Sequence, residues 1–211
     1  GSRDKTASSV QTQTARVEGV NSGGPHEMAE KANEALLLAA ENGCLAGIEA
    51  ALQAGADIDY VQPEGELDSY GPALFIASFK GHVEMVRLLL RKGASVAKRS
   101  GSFAPLHVAA SEGKTEVVEL LVHHGATLDI RDVFQNTPLM TACVNKRVHT
   151  VRRLLELGAR PDLTDGFVGK RMGISSGNFD NSNEVLKLIL EAKKTKLLRC
   201  CNPKCGKPGY R

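Results

Sequence analysis

Tryptophan is absent from the 211-residue chain, and phenylalanine and tyrosine together supply only nine residues. A core built around large aromatic side chains is therefore excluded, and we expect leucine, valine, isoleucine and alanine to fill it, as in closely packed helices. The apolar runs are too short to span a bilayer, and no charged segment followed by an apolar one resembles a signal peptide. Membrane association is not expected.

A large excess of either charge is also missing, since the formal net charge is only +3. The charge is unevenly distributed, because residues 185–211 contain eight Lys or Arg residues and one acid, Glu191. Such a basic segment fits nucleic acid, a membrane surface, an acidic protein, or simply a solvated helix end with a charged linker. Its basic residues are not interleaved with aromatic ones except at Tyr210, so we do not expect nucleic acid as the partner.

Cysteine is sparse in the body of the chain and crowded at its end. Cys44 and Cys143 stand singly within helical patterns, and we expect both to pack on apolar faces in a reducing compartment, either cytoplasmic or nuclear. The other three cysteines all fall within the last dozen residues, at positions 200, 201 and 205. The two groups therefore call for separate explanations.

Four segments of the sequence align with one another without gaps. Each has an Ala three positions after a leading Leu, and a Gly-Ala pair beginning 19 positions after that Leu. The leading residues are 38, 32 and 33 positions apart, at Leu36, Leu74, Leu106 and Leu139. One pair of short helices cannot bury its own apolar face, so a repeat of this length predicts that successive pairs stack into one continuous core.

The residues between the apolar positions predict where each helix starts and stops. Thr137 can cap a helix whose first turn contains Pro138, where a missing N–H costs nothing. The glycine of each Gly-Ala pair is expected to end the second helix in the left-handed conformation. Lys146 stands where the other three repeats have Gly43, Gly81 and Gly113, and a left-handed backbone there would cost about 1 kcal/mol relative to glycine.

The segments APLHVAASEGKTEVVELLVHHGATLDIRD and NTPLMTACVNKRVHTVRRLLELGARPD resemble ankyrin repeats almost throughout. The resemblance implies an all-α solenoid of stacked helix-turn-helix units with β-hairpin fingers, made of four clear repeats and a degenerate C-terminal one. We expect a Ser/Thr/Gln/Gly-rich disordered arm at 1–25 and an ankyrin domain at 26–194. Within that domain we place repeats at about 32–61, 68–99, 100–132 and 133–165, then a capping repeat at 166–194, and a basic tail at 195–211.

In the tail, Cys201 and Cys205 flank an Asn-Pro-Lys turn, the arrangement by which zinc gains two of its four ligands. The segment resembles the opening knuckle of a MYND zinc finger, which implies zinc as a cofactor of the tail and none in the ankyrin domain. A MYND finger needs further Cys and His ligands downstream, so the site is incomplete within these residues. The alternative is a tail that carries three reactive thiols.

Ankyrin stacks bind other proteins along a concave face formed by the fingers and the ends of the first helices. The resemblance implies a protein or peptide partner and contacts at Tyr70, Phe79, Lys80, Phe103, Ser111, Glu112, Phe134, Asn136, Val144 and Asn145. We expect the four aromatic residues of this set to form a central strip of anchors, because exposed aromatic side chains are poorly hydrated and dominate many interfaces. For Phe103, inward packing between the fingers is an equal alternative.

Catalytic motifs are missing from the sequence: there is no phosphate-binding loop, and no spacing indicates a Ser-His-Asp or Cys-His arrangement. His107 occupies a position at which the ankyrin family uses histidine to bond neighbouring backbone. We therefore predict a monomeric, non-enzymatic interaction module that serves as a scaffold or adaptor. The alternative is a regulatory ankyrin domain of a larger enzyme, such as a methyltransferase that carries a MYND finger, with the catalytic part outside this chain.

Overall fold

The structure, a computed structural model, describes residues 25–62, 71–161 and 184–200. Over these ranges the regular structure is helical. The helices are α1 (Pro25–Asn42), α2 (Leu45–Gln53), α3 (Ala73–Lys80), α4 (Val83–Arg91), α5 (Pro105–Glu112), α6 (Thr115–His123), α7 (Pro138–Val144), α8 (Val148–Leu157) and α9 (Glu184–Cys200). The expected β-hairpin fingers are reduced, within the described ranges, to one antiparallel bridge between Ser100 and Phe103.

The helices form two rows that run along the stack. The first helices of successive pairs, α1, α3, α5 and α7, pack against one another in order, and the second helices α2, α4, α6, α8 and α9 do the same. Each first helix also packs on the second helix of its own pair. The all-α solenoid expected from the sequence is confirmed, because every layer buries its apolar side against the next.

The apolar positions of the repeat occupy equivalent places in successive layers. The four leading leucines are at most 1% exposed. Of the alanines three positions later, three are fully buried and Ala39 is 7% exposed. In the second row, Val117, Val118 and Leu121 of α6 lie at helical spacing and are fully buried. Each such aliphatic side chain contributes roughly 1.5–3 kcal/mol relative to an exposed one.

Both helices of a repeat end in the same hydrogen-bonded turn. After α6, the N–H of Ala126 donates to the carbonyl of Leu121 at 2.9 Å, across Gly125 with φ 91°. After α7, the N–H of Arg147 donates to the carbonyl of Ala142 at 2.9 Å, across Lys146 with φ 55°. These bonds satisfy helix carbonyls and require a left-handed residue. Lys146 therefore adopts the left-handed conformation of the glycines with which it aligns.

The residue after each of these first-helix turns reaches back onto the preceding repeat. His82 lies over Gly43, Lys114 over Gly81 and Arg147 over Gly113. His82 Nε2 is 3.3 Å from the carbonyl oxygen of Glu41, and Arg147 Nε donates to the carbonyl of Ser111 at 2.8 Å. Donors at the C-terminus of a helix are favoured by its unpaired carbonyls, so these side chains join one repeat to the next.

Helix α1 begins at Pro25, close to the expected start of the ankyrin domain at residue 26, and α9 continues to Cys200. The expectation for Cys44 was wrong. Its side chain is exposed and its Sγ caps α2 by accepting from the N–H of Gly47, because the residue precedes the helix rather than lying inside it. None of the helices in the described ranges combines the length and apolar character needed to cross a bilayer.

Candidate partner-binding groove

A groove of about 310 Å³ opens on the side of the stack that carries the fingers and the first helices. Its walls are the first helices α5 and α7 and the loops that precede them. It is lined by Phe103, His107, Val108, Ser111, Phe134, Asn136, Thr141, Val144 and Asn145. A cavity of this size suits one or two side chains of a partner rather than a large ligand.

Two loop aromatics form the outer walls of the groove. Phe103 is held by paired backbone hydrogen bonds with Ser100, both 3.0 Å, and its ring meets the imidazole of His107 edge to face with centroids 6.2 Å apart. Phe134 lies in the tight turn before α7, where Gln135 adopts φ 62°. Phe134 is 65% exposed, whereas Phe103 is 36% exposed. The exposure expected for Phe134 is confirmed. Phe103 is partly exposed and also packs against His107, so it fits both the exposed and the inward-packed alternative.

His107 fixes the base of the groove through its two ring nitrogens. The N–H of Ala104 donates to Nδ1 at 3.3 Å, which places the proton on Nε2, and Nε2 then donates to the carbonyl of Asn136 at 3.1 Å. Burial lowers the pKa of His107, against the raising effects of the Asn136 carbonyl and the Asp132 carboxylate. The neutral ring therefore joins the start of α5 to the loop of the next repeat, as the ankyrin resemblance implied for this position.

Asn136, which was predicted to contact a partner, lines the groove, but most of its side chain is buried. Asn136 is 5% exposed, and its Nδ2 donates to Asp132 Oδ2 at 2.8 Å, while its backbone N–H donates to Asp132 Oδ1 at 2.7 Å. The backbone turn pulls the residue inward, because Asp132 is itself buried and needs both donors. Asn136 Oδ1 also lies buried and has no hydrogen-bond partner among the described residues.

A polar rim closes one side of the groove. Asn145 Nδ2 donates to Ser111 Oγ at 3.2 Å and to the carbonyl of Thr141 at 2.9 Å. Next to it, Arg147 Nη2 lies 3.7 Å from Glu112 Oε2. The Asn145–Ser111 hydrogen bond and the Arg147–Glu112 ion pair cross from one repeat to the next and hold the two repeats in position.

The structure brings six of the predicted contact residues into the groove: Phe103, Ser111, Phe134, Asn136, Val144 and Asn145. Phe79 and Lys80 lie outside it, one repeat earlier. Phe79 is 45% exposed, and Lys80 Nζ lies 3.6 Å from Glu41 Oε1 in an exposed ion pair between α1 and α3. Tyr70, Cys201 and Cys205 lie outside the described residues, so the roles predicted for them stay predictions.

The sequence analysis missed Val108 and Thr141, which line the groove in equivalent positions of α5 and α7. Each lies three residues before a predicted contact, Ser111 or Val144, and residues three apart share a helix face. Extending the contact positions by this spacing would have found both. Asp132 was also missed, because its role depends on a hydrogen-bonded turn rather than on a surface position.

The described ranges contain no cluster of three His, Cys, Asp or Glu side chains able to hold a metal ion. Cys143 is fully buried on α7, and burial raises the pKa of its thiol to about 12. A thiol held neutral in this way is a poor nucleophile. That the chain is not an enzyme stays a prediction.

Two family models recognise segments of this chain, and the groove lies within the second segment. A model of ankyrin repeats in many copies matches residues 36–90, and a model of ankyrin repeats in three copies matches residues 98–165. A comparison with curated proteins gives no match. The two matched ranges together cover more than half of the chain, and they overlap all four aligned segments and helices α1 to α8. The chain belongs to the ankyrin-repeat family.

Proposed function

We propose that this protein is a scaffold or adaptor that binds a partner protein or peptide on the face carrying Phe79 and the groove. Ankyrin repeats are generally protein-interaction modules, which supports the class of function. The fold alone does not select a partner, so the proposal depends on the surface of this particular chain.

The observation that carries the proposal is the exposure of one phenyl ring from each of three successive repeats, at Phe79, Phe103 and Phe134. Phe79 holds the same position in α3 as Ser111 and Val144 hold in α5 and α7, and both of those line the groove. Large apolar side chains grouped on one face are poorly hydrated, and burying an aromatic anchor commonly contributes 2 kcal/mol or more to binding.

The scaffold around these rings is already ordered. His107 links the two loops, Asn145 links the two first helices, and Arg147 ties α8 to the end of α5. A partner therefore meets a surface that loses little conformational freedom on binding, which lowers the entropic cost of association.

The test is affinity capture from a cell extract with three forms of the full chain, compared by quantitative mass spectrometry. The forms are wild type, Phe79→Ala/Phe134→Ala, and the control Leu45→Ala/Leu190→Ala, which removes two exposed apolar side chains from second helices. Far-ultraviolet circular dichroism would verify that all three are folded. The strongest candidate partner would then be purified and its Kd measured with each form by calorimetry.

We expect Leu45→Ala/Leu190→Ala to keep the wild-type Kd and Phe79→Ala/Phe134→Ala to raise the Kd at least about 30-fold. The loss of one aromatic anchor worth about 2 kcal/mol already corresponds to that factor. If Phe79→Ala/Phe134→Ala binds every captured partner as tightly as wild type, the binding face lies elsewhere.

A further inference from the structure

The groove combines apolar walls with a buried carboxylate bonded to a residue of its floor. Of its lining residues, none is charged, because His107 is held neutral by burial. Its two outer walls are the rings of Phe103 and Phe134. The face of a phenyl ring attracts cations through its quadrupole, and a flat cation can stack on it. These walls can therefore contact both the aliphatic part and the cationic end of a ligand side chain.

The negative charge belongs to Asp132. Asp132 is only 2% exposed, and among the described residues its two carboxylate oxygens accept from the backbone N–H and Nδ2 of Asn136, both neutral groups. No ion pair within the described ranges involves this carboxylate, although Arg99 Nη2 donates to the carbonyl of the preceding residue, Arg131, at 3.0 Å. At His107 its effect on the pKa outweighs the opposing effect of Arg99. A buried carboxylate without a cationic partner favours a positive charge brought close to it.

Asn136 adds a specific acceptor at the floor. Its Nδ2 is committed to Asp132, which leaves Oδ1 on the other side of the amide, without a partner among the described residues. A buried acceptor left unsatisfied destabilises the folded protein, so a ligand N–H that reached it would recover that penalty. Oδ1 is nearly closed to solvent, and Phe134, which is mostly exposed beside it, can change rotamer on binding, as interface side chains commonly do.

We propose that this groove receives a basic side chain of the partner, with arginine preferred over lysine; the inference rests on the proposed function. The aliphatic stem of the arginine lies along Val108 and Val144, its guanidinium plane stacks on a phenyl wall, and one N–H donates to Asn136 Oδ1. Guanidinium is flat, weakly hydrated and rich in donors, so it suits this combination better than an ammonium group does. An aliphatic side chain leaves Oδ1 unsatisfied, and a carboxylate brings no donor and faces the charge of Asp132.

The experiment uses a phage-displayed library of random linear peptides selected on the full chain, with the selected pools sequenced. Three variants are compared with wild type. Phe134→Leu keeps an apolar wall but removes the ring face. Asp132→Asn removes the charge and lets the Asn136 amide turn over, so that its NH2 group faces the groove instead of Oδ1. Val133→Ala, next to Phe134 but not lining the groove, is the matched control.

We expect wild type and Val133→Ala to select peptides in which one position is enriched about ten-fold in arginine, with lysine second. Phe134→Leu should lose that enrichment while its selected peptides keep their apolar positions. Asp132→Asn should shift the same position toward Glu, Asp or Gln. Because Phe134 is exposed, its variant remains informative even if Asp132→Asn proves unstable.

Peptides that depend on Phe134 but carry an apolar or acidic residue at that position would overturn this inference and leave the proposed function standing. If the selected peptides bind equally well after both Phe79→Ala and Phe134→Ala substitutions, the proposed binding face itself is wrong. The residue selected at that position and the binding of the selected peptides to these alanine variants thus distinguish the two failures.

Discussion

Lys146 offers a direct test of how the first helices end. Replacing it with glycine removes a Cβ from a residue with φ 55°, where the equivalent residues Gly43, Gly81 and Gly113 have φ between 73° and 83°. The turn keeps its backbone hydrogen bonds, from Lys146 N to Cys143 O and from Arg147 N to Ala142 O. The Lys146 side chain is exposed, and within the described ranges it makes no hydrogen bond or ion pair. The substitution therefore removes backbone strain and little else.

The size of the effect follows from two opposing terms. A left-handed residue with a side chain costs about 1–2 kcal/mol relative to glycine. Glycine gives back about 0.5–1 kcal/mol of this, because it gains more freedom in the unfolded chain. We expect Lys146→Gly to raise the free energy of unfolding by about 0.5–1 kcal/mol. For a domain of this length that corresponds to a Tm higher by about 1–4 °C.

Urea denaturation followed by far-ultraviolet circular dichroism measures the change. Lys146→Ala is the matched control, because it removes the same long side chain but keeps the Cβ and therefore the strain. It should leave the midpoint close to wild type. If alanine stabilises the protein as much as glycine, the gain comes from the side chain and the strain argument fails. If glycine lowers the midpoint, the alignment of Lys146 with the three glycines is itself refuted.

Two further predictions concern buried titratable groups. Burial raises the pKa of the Cys143 thiol from 9.0 to about 12, so the free energy of unfolding should fall as pH rises through that window, and less steeply in Cys143→Ala. Equal pH profiles of the two proteins in urea denaturation would show that the thiol is not buried. His107→Leu leaves the N–H of Ala104 without its acceptor and should cost about 1–3 kcal/mol in the same assay at neutral pH. Because burial lowers the pKa of folded His107, the stability that the neutral ring provides is present above pH 6.5 and is lost as pH falls. If the free energy of unfolding of His107→Leu falls with acid as steeply as that of wild type, this assignment is contradicted.

Much of the fold was readable from the sequence, because its signals are local and recur four times. A leading Leu, an Ala three residues later and a Gly-Ala pair are each required by a short-range cause: a buried helix face, a close helix contact and a left-handed turn. The same alignment identified Lys146 as the residue that would be strained if its backbone were left-handed. Cys44 was misjudged because it directly precedes helix α2, which begins at Leu45. From sequence alone, a residue that caps a helix is hard to distinguish from an apolar residue one position further on, inside the helix.

The groove was less predictable, because burial of a polar residue depends on partners that lie in another repeat. The sequence identified the exposed aromatic Phe134 and most of the positions around it. It could not show that the Asn136 side chain points inward and donates to Asp132. Nor could it show that His107 donates to the Asn136 carbonyl, which belongs to the next repeat. The repeat pattern alone determined that helix pairs stack and which face they leave open. Only the tertiary structure decided the charge and hydrogen-bonding character of that face, because those properties arise where side chains from two separate repeats meet.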